Sequence, residues 1–173
     1  MVAERPYVVV DYAHTPDALA RTLRCARALC EGQLTVVFGA GGQRDKQKRP
    51  LMGCAASVAD KIVLTTDNPR REDPAAIVSD IRAGLATHPG VKVELDRSVA
   101  IHNAVAEARE LDVIIIAGKG HEDEQILGEE RKRFSDREVA LSAARASASR
   151  GADVDSSPGS PGAGPNRPRA KLA

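Results

Sequence analysis

Short apolar runs recur along this chain, each followed by a turn of distinctive chemistry and then by apolar residues at helical spacing. No other feature restricts the fold as much. The runs are Tyr7 to Tyr12, Leu34 to Phe38, Ile62 to Leu64, Val91 to Leu95 and Val113 to Ile116. They are short and aliphatic, and the pattern at Ile62 to Leu64 suits a strand buried on both faces. Between them the helix signals are local. Thr15 reads as an N-cap with Pro16 at the first helical position, before Leu19, Leu23, Ala26 and Cys30 and a stop at Gly32. Pro50 to Ala59 predicts a helix with Leu51, Ala55 and Val58 on one face. Asp73 and Pro74 open a helix through Ile77, Ile81 and Leu85, and Ser98 caps another through Ile101, Val105 and Ala108. Ser135 and Glu138 form a capping box for a last helix towards Ala148. Strands alternating with helices predict an α/β fold, Rossmann-like, with a mostly parallel sheet and helices on both faces. Gln125 to Phe134 breaks the alternation as a hairpin turning at Gly128 and Glu129, expected at the sheet edge.

The chain of 173 residues, 42% of them apolar, is long enough for one domain with its own core, here residues 7–149. From Gly151 the composition shifts to four Gly and four Pro in 23 residues, so residues 150–173 are expected to be a disordered tail. A net charge of +1 argues against nucleic acid as a partner. No apolar run approaches the length of a membrane span, and no secretory leader is visible, which speaks against a membrane partner. Cys25, Cys30 and Cys54 are odd in number and make no Cys-x-x-Cys pair; they are expected as buried reduced thiols in a cytoplasmic setting. With aromatics at 2% and no Trp, the core must be aliphatic.

Four loops at strand ends carry the chemistry. Pro69 ends the third strand within Asp67-Asn68-Pro69-Arg70, and in an open parallel sheet ligands bind where strands end at their carboxyl side. An ordinary turn with solvated charges explains that stretch equally well. Asp11 and His14 flank a helix start, a corner that suits phosphate, although His14 bonded into its own turn is the plainer reading. Gly39-Ala40-Gly41-Gly42 lacks the third glycine of a dinucleotide fingerprint, because Arg44 stands there. Arg44, Lys46, Lys48 and Arg49 after that glycine turn suit a carboxylate or phosphate, or form a solvated basic loop. Gly118-Lys119-Gly120-His121-Glu122-Asp123 is not a P-loop, and adjacent His121, Glu122 and Asp123 make a poorer metal set than a ligand-binding loop.

Taken together, Asp11-Tyr12-Ala13-His14-Thr15-Pro16, Arg44-Asp45-Lys46 with Lys48-Arg49-Pro50-Leu51-Met52-Gly53, Asp67-Asn68-Pro69-Arg70 and Gly118-Lys119-Gly120-His121-Glu122-Asp123 resemble the carboxy-terminal domain of Mur ligases of the diaminopimelate-adding (MurE) type. The first motif is shared with folylpolyglutamate synthases; the third and fourth separate the two. The resemblance covers about Tyr7 to Ala144 and makes residues 1–6 a hinge remnant. It implies an ATP-dependent acid–amino-acid ligase, in which a carboxylate activated as an acyl phosphate is attacked by an amino group. It further implies that Arg44, Asp67, Asn68, Pro69, Arg70, Gly118 and Glu122 hold meso-diaminopimelate, and that Asp11 and His14 lie near the nucleotide. Arg70 would meet the distal carboxylate and Glu122 the distal ammonium; lysine-adding members typically carry Ala in place of Arg70. ATP and Mg2+ would be held mainly by a central domain, and UDP-MurNAc-dipeptide by other domains, either on a longer chain or on a separate one. Gln43, Gln47 and Glu124 depart from the family, which commonly has Asp, Gly and an aromatic at those positions. A non-catalytic binding protein of the same fold is the alternative reading, and a nucleotide-binding oxidoreductase is disfavoured by the glycine spacing.

Overall fold

A computed structural model of the chain describes residues 1–4, 6–85 and 87–154. In order, the elements are β1 (Ala3–Glu4), β2 (Tyr7–Asp11), α1 (Pro16–Leu29), β3 (Leu34–Phe38), α2 (Lys48–Ala56), β4 (Lys61–Leu64), α3 (Pro74–Arg82), β5 (Val91–Val93), α4 (Arg97–Ala106), β6 (Val113–Ala117), β7 (Glu124–Leu127), β8 (Glu130–Arg133) and α5 (Asp136–Val154). The main sheet has six strands in the order β1-β2-β6-β3-β4-β5. All its pairings are parallel except that of β1 with β2. This is the expected Rossmann-like, mostly parallel sheet.

Alternate residues of the central strands feed two cores, although every residue of β3 and β6 is buried. Val36 and Phe38 of β3, with Val113 and Ile115 of β6, pack against Leu19, Leu23, Met52 and Ile81 from α1, α2 and α3. Val37, Ile114 and Ile116 face the other way, onto Ala100, Ile101, Val105, Ala140 and Ala143 from α4 and α5. Burial on both faces is why these strands read as unbroken apolar runs. Because β6 inserts between β2 and β3, the loop leaving it lies between the loops that lead into α1 and α2, and that carboxyl edge is where such sheets receive ligands.

Several local expectations are corrected. The hairpin β7–β8 is not on the sheet edge but forms its own two-stranded sheet, docked on the loop after β4 through the bridge between Arg70 and Leu127. Residues 3 and 4 add a short strand on β2 that the sequence did not signal, since two residues are too few to show a period. Helix α2 begins at Lys48 and turns Arg49, Met52, Gly53 and Ala56 inward, leaving Leu51 exposed. The cause is Gly53, whose absent Cβ would lie 2.2 Å from the Ile81 carbonyl oxygen, so the glycine face must meet α3. Asp96, not Ser98, caps α4, its side chain accepting from the Val99 N–H; the helix already begins at Arg97, so Ser98 lies within its first turn. Thr15 and Asp73 do cap α1 and α3. Cys25 and Cys54 are exposed and Cys30 half-buried, against the expectation of buried thiols, because the buried seam of α1 runs through Leu19 and Leu23 and that of α2 through Met52, Gly53 and Ala56. Helix α5 continues to Val154, past the expected start of the tail, and the remainder of that tail lies outside the described residues. No helix among the described residues is long and apolar enough to cross a membrane.

Candidate functional site

The loops leaving β2, β3, β4 and β6 meet at one end of the sheet around a cleft of about 300 Å³. Arg44, Asp67, Asn68, Arg70, Gly118, Glu122 and His14 all line it, joined by Tyr12, Gly41 and Lys48. Two of the expected residues do not. Pro69 is buried in the turn, its carbonyl accepting from the Glu72 N–H at 3.0 Å. Asp11 is committed to its own loop, its Oδ1 accepting from the Ala13 N–H at 3.0 Å and its Oδ2 from the Thr22 hydroxyl at 2.8 Å. It lines a neighbouring shallow depression with Tyr12, His14 and Arg21. His14 borders both, its Nδ1 within 2.9 Å of the Tyr12 carbonyl oxygen, so the turn contact and the exposed ring coexist. The Tyr12 ring lies 4.6 Å from His14 and 5.4 Å from His121, giving the rim an aromatic corner. Larger depressions exist, including one of about 550 Å³ with a mostly apolar lining beside β2 and β6, but the strand-end cleft is where the motif loops bring Arg44, Lys48 and Arg70 opposite Asp67 and Glu122.

The loop after β4 is fastened from several sides. Asn68 Nδ2 donates to Glu122 Oε2 at 3.1 Å, and Asn68 Oδ1 accepts from the Ile126 N–H and from Lys119 Nζ, both at 3.0 Å. Gln125 Nε2 donates to the Asp67 carbonyl at 2.9 Å. Arg70 adopts φ +53°, a left-handed conformation unusual for a non-glycine residue, held because its N–H donates to the Ile126 carbonyl and its carbonyl accepts from the Gly128 N–H. Its Nη1 donates to the Gly42 carbonyl at 2.8 Å, and the residue lines the cleft. Gly42 has no substitute: a Cβ would stand 1.8 Å from the Pro69 carbonyl oxygen. At the β6 end, Gly118 takes φ +118°, and its missing Cβ leaves room for the Asp67 carboxylate.

Three buried cations support these loops: Arg49 and Lys119, which lie in the motif loops, and Arg97, which lies outside them. Lys119 is fully buried with its Nζ 3.5 Å from Asp67 Oδ1 and 3.7 Å from Glu122 Oε2. Arg97 makes a two-pronged pair with Asp136, both contacts at 2.7 Å, and its Nη2 donates to the Ala117 carbonyl just before Gly118. Burial alone would lower the Arg97 pKa, but Asp136, helped by Asp67 and Glu122, holds it above its ordinary value. Arg49 spans from α2 to Glu72 Oε2 at 3.0 Å and Asp80 Oδ2 at 2.8 Å. Glu72 is held below its ordinary value, first by the Gln43 N–H and then by Arg49 and Lys46, against a burial effect that would raise it. The motif loops flagged Lys119 and Arg49, but nothing in a sequence shows that a lysine points inward. Among the described residues no group of three His, Cys, Asp or Glu side chains is placed to hold a metal ion.

A family model described as Mur ligase, glutamate ligase domain, matches residues 1–120. Over 144 residues the chain is 51% identical to the UDP-N-acetylmuramoyl-L-alanyl-D-glutamate–2,6-diaminopimelate ligase of Parasynechococcus marenigrum (strain WH8102), covering 83% of this chain and 29% of the relative. The ligase of the same name from Synechococcus sp. (strain WH7803) is 53% identical over 143 residues, with coverage of 82% and 29%. A solved structure titled as a ligase of that name superimposes with a TM-score of 0.76 at 44% identity, covering 80% of this chain and 29% of that one. The chain thus spans less than a third of the length of these relatives.

Proposed function

The chain belongs to the Mur ligase family, and from that premise we propose that it is the amino-acid-binding domain of an ATP-dependent ligase that adds meso-diaminopimelate to UDP-MurNAc-L-Ala-D-Glu in peptidoglycan precursor synthesis. The observation that carries this reading is the pairing, across one cleft, of the Arg70 guanidinium, engaged among the described residues through Nη1 alone, and the Glu122 carboxylate, whose Oε1 no described residue engages. Each end of diaminopimelate presents a carboxylate and an ammonium together. Arg70 offers a planar, doubly donating group to the distal carboxylate, and Glu122 an acceptor to the distal ammonium. Asp67 and Asn68 shape the floor between them, Gly118 keeps that floor open, and Arg44 brings a second guanidinium for the other carboxylate. Pro69 serves by fixing the turn rather than by contact.

In the reaction implied by the family, ATP phosphorylates the acceptor carboxylate, and an amino group of diaminopimelate displaces phosphate to form the amide. The part of this chain is to orient the attacking amino acid, which converts a bimolecular step into a positioned one. ATP and Mg2+ belong to the whole enzyme. Of this chain's residues, Asp11 and His14, beside the start of α1, would border the nucleotide. A cytoplasmic setting, where such precursors are soluble, goes with this reading.

The test is calorimetric titration of diaminopimelate and of L-lysine into the protein and its Arg70→Ala variant. Arg70→Ala is expected to weaken diaminopimelate by about 2 to 5 kcal/mol, the range for truncating one partner of a buried charge pair, and lysine far less. Equal losses for both ligands would indicate a collapsed loop, and unchanged binding of diaminopimelate would sink the assignment of Arg70.

A further inference from the structure

Burying an ammonium is unfavourable unless its protons find oxygens, and Lys119 is buried completely. Its Nζ donates to Asn68 Oδ1 at 3.0 Å and to the Glu124 carbonyl at 2.6 Å, with Asp67 Oδ1 and Glu122 Oε2 within 3.5 and 3.7 Å. A lysine kept only to fill space would not need to be ringed by two carboxylates, an amide and a carbonyl. The arrangement also has a direction. Because Asn68 Oδ1 is claimed by two donors, Lys119 Nζ and the Ile126 N–H, the carboxamide can turn only its Nδ2 towards Glu122. Nδ2 then takes Glu122 Oε2 at 3.1 Å, leaving Oε1 unengaged by the described residues on a side chain 35% exposed at the cleft. Charge agrees with this geometry. Lys119 offsets one of the two carboxylates, Asp67 and Glu122, so that the wall presents one uncompensated negative charge, the complement of one ligand ammonium.

We infer that Lys119 is a positioning residue: it fixes the orientation of Asn68, and through it that of Glu122, so that Glu122 Oε1 meets the ammonium of the bound amino acid. This rests on the proposed reading of the cleft as an amino-acid site. It differs from a direct contact, since Lys119 has no exposed surface with which to touch a ligand.

The experiment compares meso-diaminopimelate with 2-aminopimelate, which keeps both carboxylates and lacks one amino group, in titrations of wild type, Lys119→Met and Lys119→Gln. Lys119→Gln retains a hydrogen-bond donor and so keeps the test usable if the methionine variant does not fold. Both variants are expected to weaken diaminopimelate by at least about tenfold and 2-aminopimelate by less than about threefold, because only the former depends on an oriented Glu122. A second readout needs no ligand: the side-chain amide signals of Asn68 in nitrogen–proton correlation spectra of the free protein. They should be protected from solvent exchange in wild type and exchange rapidly in Lys119→Gln. Equal losses for the two ligands, or Asn68 signals unchanged by the substitution, overturn the inference. Wild type that binds neither ligand would refute the substrate reading, and the Asn68 signals alone would then decide whether Lys119 positions the wall.

Discussion

On one wall of the cleft, Lys119 and Arg97 lie wholly buried behind Asp67 and Glu122; on the other, Arg44 and Lys46 stand in solvent on a loop anchored underneath by Arg49. The acidic wall takes its shape from interior partners reached from β6, α4, α5 and the hairpin. The basic wall is shaped by a glycine turn and a single internal arginine, and its cations lie at the surface, with Lys46 Nζ 3.4 Å from Glu72 Oε2. The difference teaches a division of labour. Exposed, hydrated cations draw an anionic ligand in without demanding a pose, whereas an acceptor fixed by buried donors discriminates by geometry. Arg70 belongs to both walls, its backbone clamped by the hairpin and its side chain facing the basic side.

The largest effect expected from this contrast is on the acidic side. Arg97→Met removes the partner of a fully buried Asp136 and should cost about 3 to 5 kcal/mol in urea unfolding. Pairing it with Asp136→Leu should recover much of that loss, since an apolar pair of similar volume leaves no charge unmatched. A cost below about 1 kcal/mol for the single variant would show that the acidic wall does not depend on its buried cations.

The basic side should respond in the opposite direction to a backbone change. Gln43 is exposed and sits at φ +52°, where a Cβ is strained. Gln43→Gly should stabilise the chain by about 0.5 to 1 kcal/mol, the relief of left-handed strain less the added freedom of glycine in the unfolded chain. Its N–H to Glu72 would remain. A loss of stability would mean that the glutamine side chain is held by more than its turn. Smaller still is the rim of the hairpin, where Arg133 pairs with Glu138 at 2.7 Å with both side chains more than 60% exposed. Arg133→Ala should change stability by no more than about 0.5 kcal/mol, as screened surface pairs do.

The same contrast explains what a reader of the sequence can see. Strands β3 and β6 were legible because burial on both faces leaves an unbroken aliphatic run, and α1 and α3 because Thr15-Pro16 and Asp73-Pro74 are start signals written in adjacent residues. The convergence of Arg44, Asp67, Asn68, Arg70, Gly118 and Glu122 on one cleft follows from strand ends sharing one edge of a parallel sheet. What stayed hidden depends on distant partners. Asp136 meets Arg97 across 39 positions, and Gly53 dictates the face of α2 through a backbone it touches only in the folded state. The cysteines misled for a related reason: a residue type's general tendency to be buried says nothing of which side of a helix it occupies.

The finest test of the contrast is a titration. Glu72 lies under the basic loop, and the Gln43 N–H, with Arg49 and Lys46, holds its carboxyl below the ordinary 4.5. A carboxyl lowered on folding stabilises the native state in full above its unfolded value, and that contribution drains away as pH falls through the folded value. Glu72→Gln should therefore flatten the acid limb of stability, measured as urea midpoints from about pH 3 to about pH 7. It should not orphan Arg49, which keeps Asp80 Oδ2 at 2.8 Å. Some acid sensitivity must persist in the variant, because Asp60, at the far end of the sheet, is also held low. Burial there pushes its pKa up, but the Leu34 N–H and Arg27 outweigh it. Parallel limbs for wild type and variant would mean that the loop's exposed cations leave Glu72 as it is in the unfolded chain, and that the basic wall is held by Arg49 and Asp80 alone.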